Sequence, residues 1–425
     1  MNRIAYVGMT HLGLNSAVAA AALGCEVVCF DNDPAHIAAL SAGQPHVLEP
    51  QLQELMLKHA ERLHFTHQLA DLNTCQLVTI APDVPTDDSG NSDLGQLRVL
   101  IQQVDESLPA SAVLVVLSQV PPGFSRALSL KEDRHFYCQV ETLIFGQAVE
   151  RAMQPERIII GCAHPQQPLA PAYQHFLNIF NCPLLPMAYE SAELAKIAIN
   201  CFLVASISAT NTLAELCEHN GAVWSEIVPA LRHDKRIGPH AYLTPGLGIA
   251  GGNLERDLNT VITMADLHGT DTAVVSAWIS NSRYRKKWVL RLLHQQIFPH
   301  MRNPRIALWG LAYKQDTHST KNSPALALLD SLGTNAVAAY DPAVTVASLS
   351  QYANITQASD PVDACRDADV LVIMTPWPAF AAVPLAEIAA AMKGRWLIDP
   401  YRVLAAQNPQ DHHFTYLNLG SPIGE

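Results

Sequence analysis

No two cysteines in this chain of 425 residues stand at the CxxC spacing of a redox or zinc motif. The nine present are Cys25, Cys29, Cys75, Cys138, Cys162, Cys182, Cys201, Cys217 and Cys365. Odd in number and scattered through apolar segments, they read as reduced, mostly buried thiols rather than a disulfide framework. Basic residues are scarce too: 27 Lys and Arg against 39 Asp and Glu give a formal charge of −12. That balance excludes nucleic acid as the main partner, because a phosphate backbone needs a basic face. A polyanionic small molecule stays open, since a site can be locally basic. No uninterrupted apolar run reaches the roughly 18 residues that span a bilayer. The start, MNRIAYVGMTHLG, lacks the charged-then-apolar plan of a signal peptide. A soluble chain, no membrane partner and a cytoplasmic location are expected. The 18 histidines show no HxxxH or HExxH spacing, so no metal site is expected. Short-period repeats and low-complexity tracts are absent as well.

What is present is enough apolar residue, 49%, for two or three domains that each bury a core. Residues 3–8 (RIAYVG) predict a strand, the alanine-rich stretch Asn15 to Leu23 a helix, and CEVVCFD a second strand ending at Asp31. The alternation continues with LVTIAP (77–82), a helix near 94–107, AVLVVLS (112–118) and RIIIGC (157–162). Strands alternating with helices imply a parallel sheet covered on both faces. From Glu190 to Asn220 the chain has neither Pro nor Gly and keeps a helical apolar period. A helix of that length, about 45 Å, either joins two domains and supports a dimer interface or is simply a long core helix. Helices follow near 223–232 and within 255–296. Beyond Pro304 the first pattern restarts: RIALWG (305–310), a helix at 323–333, AVAAYD (336–341) ending in Asp, DVLVIMT (369–375) and WLID (396–399). The expected fold is α/β, with two Rossmann-like doubly wound domains joined by a long central helix and a helical dimerisation region. Its expected divisions are 1–188, 189–298 and 299–425.

The first β-α-β unit carries a dinucleotide fingerprint. Such a site needs a glycine turn after the first strand, a helix N-terminus facing the pyrophosphate, and an acidic residue at the end of the second strand for the ribose hydroxyls. The turn is Gly8-Met9-Thr10-His11-Leu12-Gly13, and Asp31 stands at the acidic position. A carboxylate there repels a 2′-phosphate, which favours NAD over NADP. Thr10 occupies the place of the middle glycine. Its Cβ could push the pyrophosphate outward, or its hydroxyl could donate to a phosphate.

Beyond this unit the residues form an ordered series: VCFDNDPAHI, GQPHVLEPQLQELM, PTDDSGNSDL, SQVPPG (118–123), PERIIIG (155–161), AELAKIAINCFL (192–203), DKRIGPHAYLTPGLGIAGGNLERDL (234–258), GLAYKQDTHSTKNSP (310–324), AYDP (339–342), TPW (375–377) and DPYR (399–402). This series resembles the UDP-glucose/GDP-mannose dehydrogenases nearly end to end. The resemblance implies an N-terminal NAD domain, a helical dimerising middle and a C-terminal domain for the nucleotide of the sugar, a UDP-sugar first among them. It also implies oxidation of the sugar's C6 hydroxyl to a carboxylate by two NAD⁺, through an aldehyde captured by a cysteine. Lys196 and Asn200 match the lysine and asparagine that handle the alkoxide, and at i and i+4 they share a helix face. Asp257 matches an aspartate that orients a water and the lysine, and Glu141 matches a glutamate of a PEFLRE segment. Pro85 and Ser118 fall on the cofactor side. Substrate contacts are implied for Arg236, Tyr242, Gly246, Gly248, Gly251, Gly252 and Lys314. For Lys321, where the family usually has arginine, the resemblance implies binding of phosphates or the cofactor, and Arg402 is read as the replacement of a nearby arginine.

The resemblance breaks at the nucleophile. In the glycine-rich stretch Gly246 to Asp257, Asn253 stands at the cysteine position. An amide has no thiolate-like form and cannot make a thiohemiacetal. Gln119, Phe145 and Val84 replace a threonine, a glutamate and a threonine of the family pattern. Cys201 follows Asn200 by one residue, points about 100° away around a helix, and reads as a packed thiol. Two functions follow: an NAD-dependent oxidoreductase that may stop after one hydride transfer, or a nucleotide-sugar and NAD-binding sensor or complex partner without turnover. The retained Lys196, Asn200 and Asp257 favour the enzyme.

Overall fold

The computed structural model describes residues 3–85, 92–349 and 351–423. Most of the PTDDSGNSDL loop, residues 86–91, lies outside the described residues. The chain forms two compact units, Met1–Ile199 and Asn200–Glu425.

The first unit holds one sheet of eight strands, β1 (Arg3–Val7), β2 (Glu26–Phe30), β3 (Leu63–Thr66), β4 (Leu77–Ile80), β5 (Val113–Val116), β6 (Phe136–Gln139), β7 (Ile158–Cys162) and β8 (Leu184–Ala188), in the order β3-β2-β1-β4-β5-β6-β7-β8. Its helices are α1 (His11–Ala22), α2 (Pro34–Ser41), α3 (Leu52–Lys58), α4 (Gly95–Ser107), α5 (Ala148–Met153), α6 (Pro171–Leu177) and the start of α7 (Tyr189–Asn220). The sheet is buried on both faces, and the period of two is visible in β1. Ile4 and Tyr6 enter one apolar cluster, while Ala5 and Val7 enter the other. The strand order reverses between β1 and β4, which opens the crevice at the strand C-termini where such sheets take ligands.

The sheet is parallel with one exception: β6 and β7 pair antiparallel, Cys138 opposite Gly161. The expectation of a wholly parallel sheet is corrected there. An antiparallel neighbour needs no crossover helix on the sheet face, and the segment between these strands carries only the short α5. The sequence reading also did not find β3, β6 and β8; exposed positions break the apolar run in β3 and β8, and β6 is only four residues long.

The second unit contains the rest of α7, then α8 (Trp224–His233), α9 (Asn253–His268) and α10 (Ala273–Lys286). A second sheet follows: β9 (Ile306–Trp309), β10 (Val337–Tyr340), β11 (Ile355–Gln357), β12 (Val370–Ile373), β13 (Trp396–Ile398) and β14 (Thr415–Leu417), ordered β11-β10-β9-β12-β13-β14. All its pairings are parallel. This repeats the order of the first six strands. Even the turn is repeated: Gly8 N–H donates to Phe30 O at 2.8 Å, and Gly310 N–H to Tyr340 O at 2.8 Å.

Helix α7 runs 32 residues and is long and apolar enough, by length and composition, to cross a membrane. No uninterrupted apolar run marks it in the sequence, because scattered polar residues interrupt the apolar positions. Those polar residues have protein partners: Asn211 accepts from Gly246 N–H at 2.8 Å, Glu215 accepts from Arg285 at 2.6 Å, and Glu218 accepts from Trp288 Nε1 at 2.8 Å. These contacts pack one face of the helix against protein.

Candidate active site

In the first unit the glycine turn is built by close approach. Gly8 has φ +92°, and a Cβ on it would lie 2.8 Å from Pro82 Cβ; a Cβ on Gly13 would lie 1.8 Å from Gly8 O. Only glycine lets α1 start this close to β1 and β4. Asp31, just past β2, accepts from Met9 N–H at 2.8 Å and from Asp33 N–H at 3.1 Å. Its carboxylate therefore stands beside the turn, where an acidic residue reaches a ribose. The first-turn N–H groups of α1 have no helical acceptors and form the anion-binding end. These residues fit a dinucleotide.

Thr10 is engaged within the protein itself. Its Oγ1 accepts from Asp83 N–H at 2.8 Å and lies 3.5 Å from Ala81 O. The hydroxyl fastens the loop after β4 to the glycine turn instead of reaching outward. This brings Asp83 Oδ2 to 3.5 Å from Leu12 N–H, so a carboxylate of the protein approaches the helix end that would face the pyrophosphate. Asp83 carries no motif signal, and sequence reasoning passed over it. Ser118 Oγ donates to Pro82 O at 2.6 Å and braces the same loop, while Pro85 is exposed beyond it. His11 opens α1, stacks on Phe145 with centroids 3.9 Å apart, and bonds Glu49 at 2.7 Å. Glu49 also takes Gly146 N–H at 2.9 Å. Phe145, which replaces an acid of the family pattern, thus has a packing partner in His11.

Lys196 Nζ stands 3.2 Å from Glu141 Oε2, with 15% and 14% of the two side chains exposed. Ser118, Gln119, Glu141 and Lys196 line one small cavity of about 20 Å³ with Glu193. Glu193 is buried, and its carboxylate accepts Gly123 N–H at 2.6 Å and Ser125 N–H at 2.8 Å, which fixes the PPG turn. Burial pushes its carboxyl up from the ordinary value, against those hydrogen bonds.

In the second unit Asn200 Nδ2 donates to Asp257 Oδ2 at 2.5 Å, and both are buried. Arg256 Nε lies 3.2 Å from the other Asp257 oxygen. Asn253 is the first residue of α9 and is exposed. Four residues before Asp257, it shares that residue's helix face. The loop ahead of α9 is held by the backbone. Gly246 N–H donates to Asn211, Ile249 N–H donates to Ser282 Oγ at 2.8 Å, and Gly251 N–H donates to Lys321 O at 3.2 Å. Gly248, at φ +83°, presses on Ser282, and a Cβ there would meet Ser282 O at 2.6 Å. A Cβ on Gly252 would lie 3.3 Å from Lys321 Cε. Lys321, grouped by sequence with the cofactor residues, accordingly borders the glycine-rich loop of its own unit.

Other substrate-side residues are less engaged. The Arg236 side chain is 89% exposed and turns back on Asp234 at 2.6 Å. Tyr242 contributes its carbonyl to Ser206 and Thr210, leaving its ring half-exposed. Lys314 Nζ sits 5.9 Å from the Tyr313 ring. Arg402 donates to Ser225 Oγ at 3.2 Å. Cys201 packs against the Val204–Ile249–Leu258 cluster, and burial pushes its thiol up, as expected for a packed thiol. All nine cysteines are free, and no metal-ligand cluster occurs among the described residues.

A glycine turn beside an acidic strand end, on a doubly wound sheet, defines a dinucleotide-binding protein of the NAD type. The chain belongs to the UDP-glucose/GDP-mannose dehydrogenase family: it matches that family's NAD binding domain over residues 2–177, its central domain over 190–283 and its UDP binding domain over 307–406. It is 29% identical to UDP-glucose 6-dehydrogenase of Pseudomonas aeruginosa, with 99% of this chain and 98% of that protein covered. To UDP-glucose 6-dehydrogenase TuaD of Bacillus subtilis it is also 29% identical, with 99% and 94% covered. Among solved structures it superposes on a UDP-glucose dehydrogenase from Pyrobaculum islandicum with TM-score 0.85 at 25% identity, covering 99% of this chain and 98% of that one. The chain is accordingly an NAD-dependent oxidoreductase acting on a CH–OH group of a UDP-sugar.

Proposed function

We propose that this protein removes one hydride from a UDP-hexose and releases the sugar at the aldehyde level, with further oxidation of the hydrated aldehyde slow. The observation that carries this reading is Asn253, exposed at the start of α9 one turn from the Asn200–Asp257 hydrogen bond, which we read as standing in for the family's nucleophilic cysteine. When bound, NAD⁺ accepts the hydride from C6. Glu141 takes the hydroxyl proton, and the Lys196 ammonium beside it stabilises the developing alkoxide. The Asn200 amide is held in one orientation by Asp257. Asn253 offers no covalent path for the aldehyde, so nothing retains it for a second transfer.

The test is stoichiometric. Purified protein is mixed with NAD⁺ and UDP-glucose, and NADH is counted per sugar consumed. One NADH supports the proposal, and two would refute it. Asn253→Cys is expected to raise the count to two. A second reading, a UDP-sugar binder without turnover, is favoured by the Asp83 carboxylate, which opposes a pyrophosphate at the start of α1. Binding of UDP-glucose with weak NAD⁺ binding and no NADH would support it.

We further propose a homodimer through α7, on which Leu194, Phe202, Leu213 and Leu216 expose 45%, 79%, 47% and 54% of their surface. Phe202→Asp is expected to shift the mass in light scattering from dimer to monomer, and a monomeric parent would rule the proposal out. A cytoplasmic location is proposed on the nine unpaired thiols.

A further inference from the structure

Two histidines that the oxidation chemistry does not use stand at the acidic end of the glycine turn. His36 lies in the first turn of α2, and its Nδ1 is 3.7 Å from Asp31 Oδ2. Its Nε2 meets Nδ1 of His46 at 2.8 Å, with the rings edge-on at 82° and centroids 4.4 Å apart. His46 comes from the loop after α2, so two separate segments build the contact. A hydrogen bond between two ring nitrogens needs one N–H and one bare nitrogen, so it exists only while at least one ring is neutral. Asp31, His36 and His46 form a carboxylate–imidazole–imidazole chain at the place where an adenosine ribose meets Asp31.

We propose that His36 and His46 set the selectivity between NAD and its 2′-phosphorylated form, and that this selectivity relaxes as the pair takes up protons. The inference rests on Asp31 marking the ribose end of the cofactor site. With both rings neutral, the local field comes from Asp31, from Asp33 in the same turn and from Asp83 across it, and it repels a dianionic 2′-phosphate. One proton on the pair places a positive charge beside Asp31 and offsets that field. A second proton breaks the ring–ring hydrogen bond and turns a free N–H toward solvent and ligand, a charge-assisted donor for a phosphate oxygen. Partial burial and the facing His36 ring hold His46 below the ordinary imidazole range, while Asp31 and Asp83 pull it up and His11 pushes it down. His11 itself is held by Glu49 at 2.7 Å and takes no part in the pair.

The experiment measures Kd for NAD⁺ and for NADP⁺ by calorimetry at pH 8 and pH 5.5, at fixed ionic strength. It uses the full chain, H36Q, H46Q, the double variant and D31N, with circular dichroism confirming each fold. The 2′-phosphate loses charge over the same range in every variant, so the difference between parent and double variant isolates the imidazoles. The Kd ratio of NADP⁺ to NAD⁺ is expected to fall about tenfold more in the parent than in the double variant. Equal pH slopes in the two would overturn the role of the histidines, as would failure of NADP⁺ to bind the parent at pH 5.5. D31N is expected to lower the ratio at both pH values. An unchanged ratio in D31N would overturn the ribose placement and the proposal with it, a result distinguishable from equal slopes with a responsive D31N.

Discussion

Replacing Asp83 by asparagine is expected to tighten NAD⁺ binding. The change keeps the side-chain shape and leaves the tether intact, because Thr10 Oγ1 holds the backbone N–H of residue 83 at 2.8 Å. It removes a negative charge that sits 3.5 Å from Leu12 N–H. A pyrophosphate at that helix end would lie roughly 5 Å from the carboxylate. At an effective dielectric of about 40–80, suited to this exposed position, the repulsion is about 0.8–1.7 kcal/mol per phosphate charge. One such charge corresponds to a roughly 4- to 17-fold gain in affinity. The helix gives up about 0.3–1 kcal/mol of favourable dipole interaction in exchange, so the variant should be slightly less stable while binding more tightly. Calorimetric titration with NAD⁺ at low and high salt measures both parts: the gain should shrink as ionic strength rises, since the charge is exposed. Unchanged or weaker binding in the variant, at low salt, would show that Asp83 does not face the bound anion. In the second Rossmann unit a carboxylate from another position, Asp341 after β10 and so the counterpart of Asp31, occupies the turn. There Asp341 accepts Leu311 N–H at 2.6 Å, Ala312 N–H at 3.0 Å and Trp377 Nε1 at 3.1 Å, so its own carboxylate takes up the turn.

Arg134→Ala is expected to lower stability by about 3–5 kcal/mol, read by urea unfolding. The guanidinium is 1% exposed, pairs with Asp105 at 2.6 Å, and also donates to Pro109 O and Ala112 O at 2.7 Å each, so its loss leaves a buried charge and orphaned carbonyls. A loss below about 1 kcal/mol, the range of an exposed pair, would contradict this. Glu218→Gln tests pH linkage. Burial pushes the Glu218 carboxyl up, outweighing its hydrogen bonds from Trp288 and Gly420. A raised folded-state value means the folded chain keeps a proton that the unfolded chain releases near pH 4.3. The stabilisation is therefore full below that pH and is lost as pH rises through the folded value. The parent's advantage over the variant should shrink between pH 4 and pH 7, and a constant difference would show that Glu218 does not titrate on folding.

The α/β alternation was legible because strands buried on both faces, such as VLVV in β5 and VLVI in β12, must be continuously apolar. Edge strands β3, β8, β11 and β14 were not legible, since exposure on one side dilutes that signal. Gly8, Gly13 and Asp31 could be found from spacing because close backbone approach and a ribose acceptor each demand a particular residue at a particular step. Asp83, Glu49, His36 and His46 could not. Each owes its place to a loop that another segment positions, and no local period encodes that.

The order of chemical groups along the chain was therefore determined by the sequence alone: two glycine-turn units, a long helix carrying Lys196 and Asn200, and an asparagine at position 253. Only the tertiary structure decided which groups meet. Lys196 pairs with Glu141 at 3.2 Å, Asn200 with Asp257 at 2.5 Å, and Thr10 with the backbone of Asp83. Those distances depend on how sheets and helices pack side chains from remote positions. Packing is a property of the whole fold, whereas periodicity and turn chemistry are properties of a few neighbouring residues.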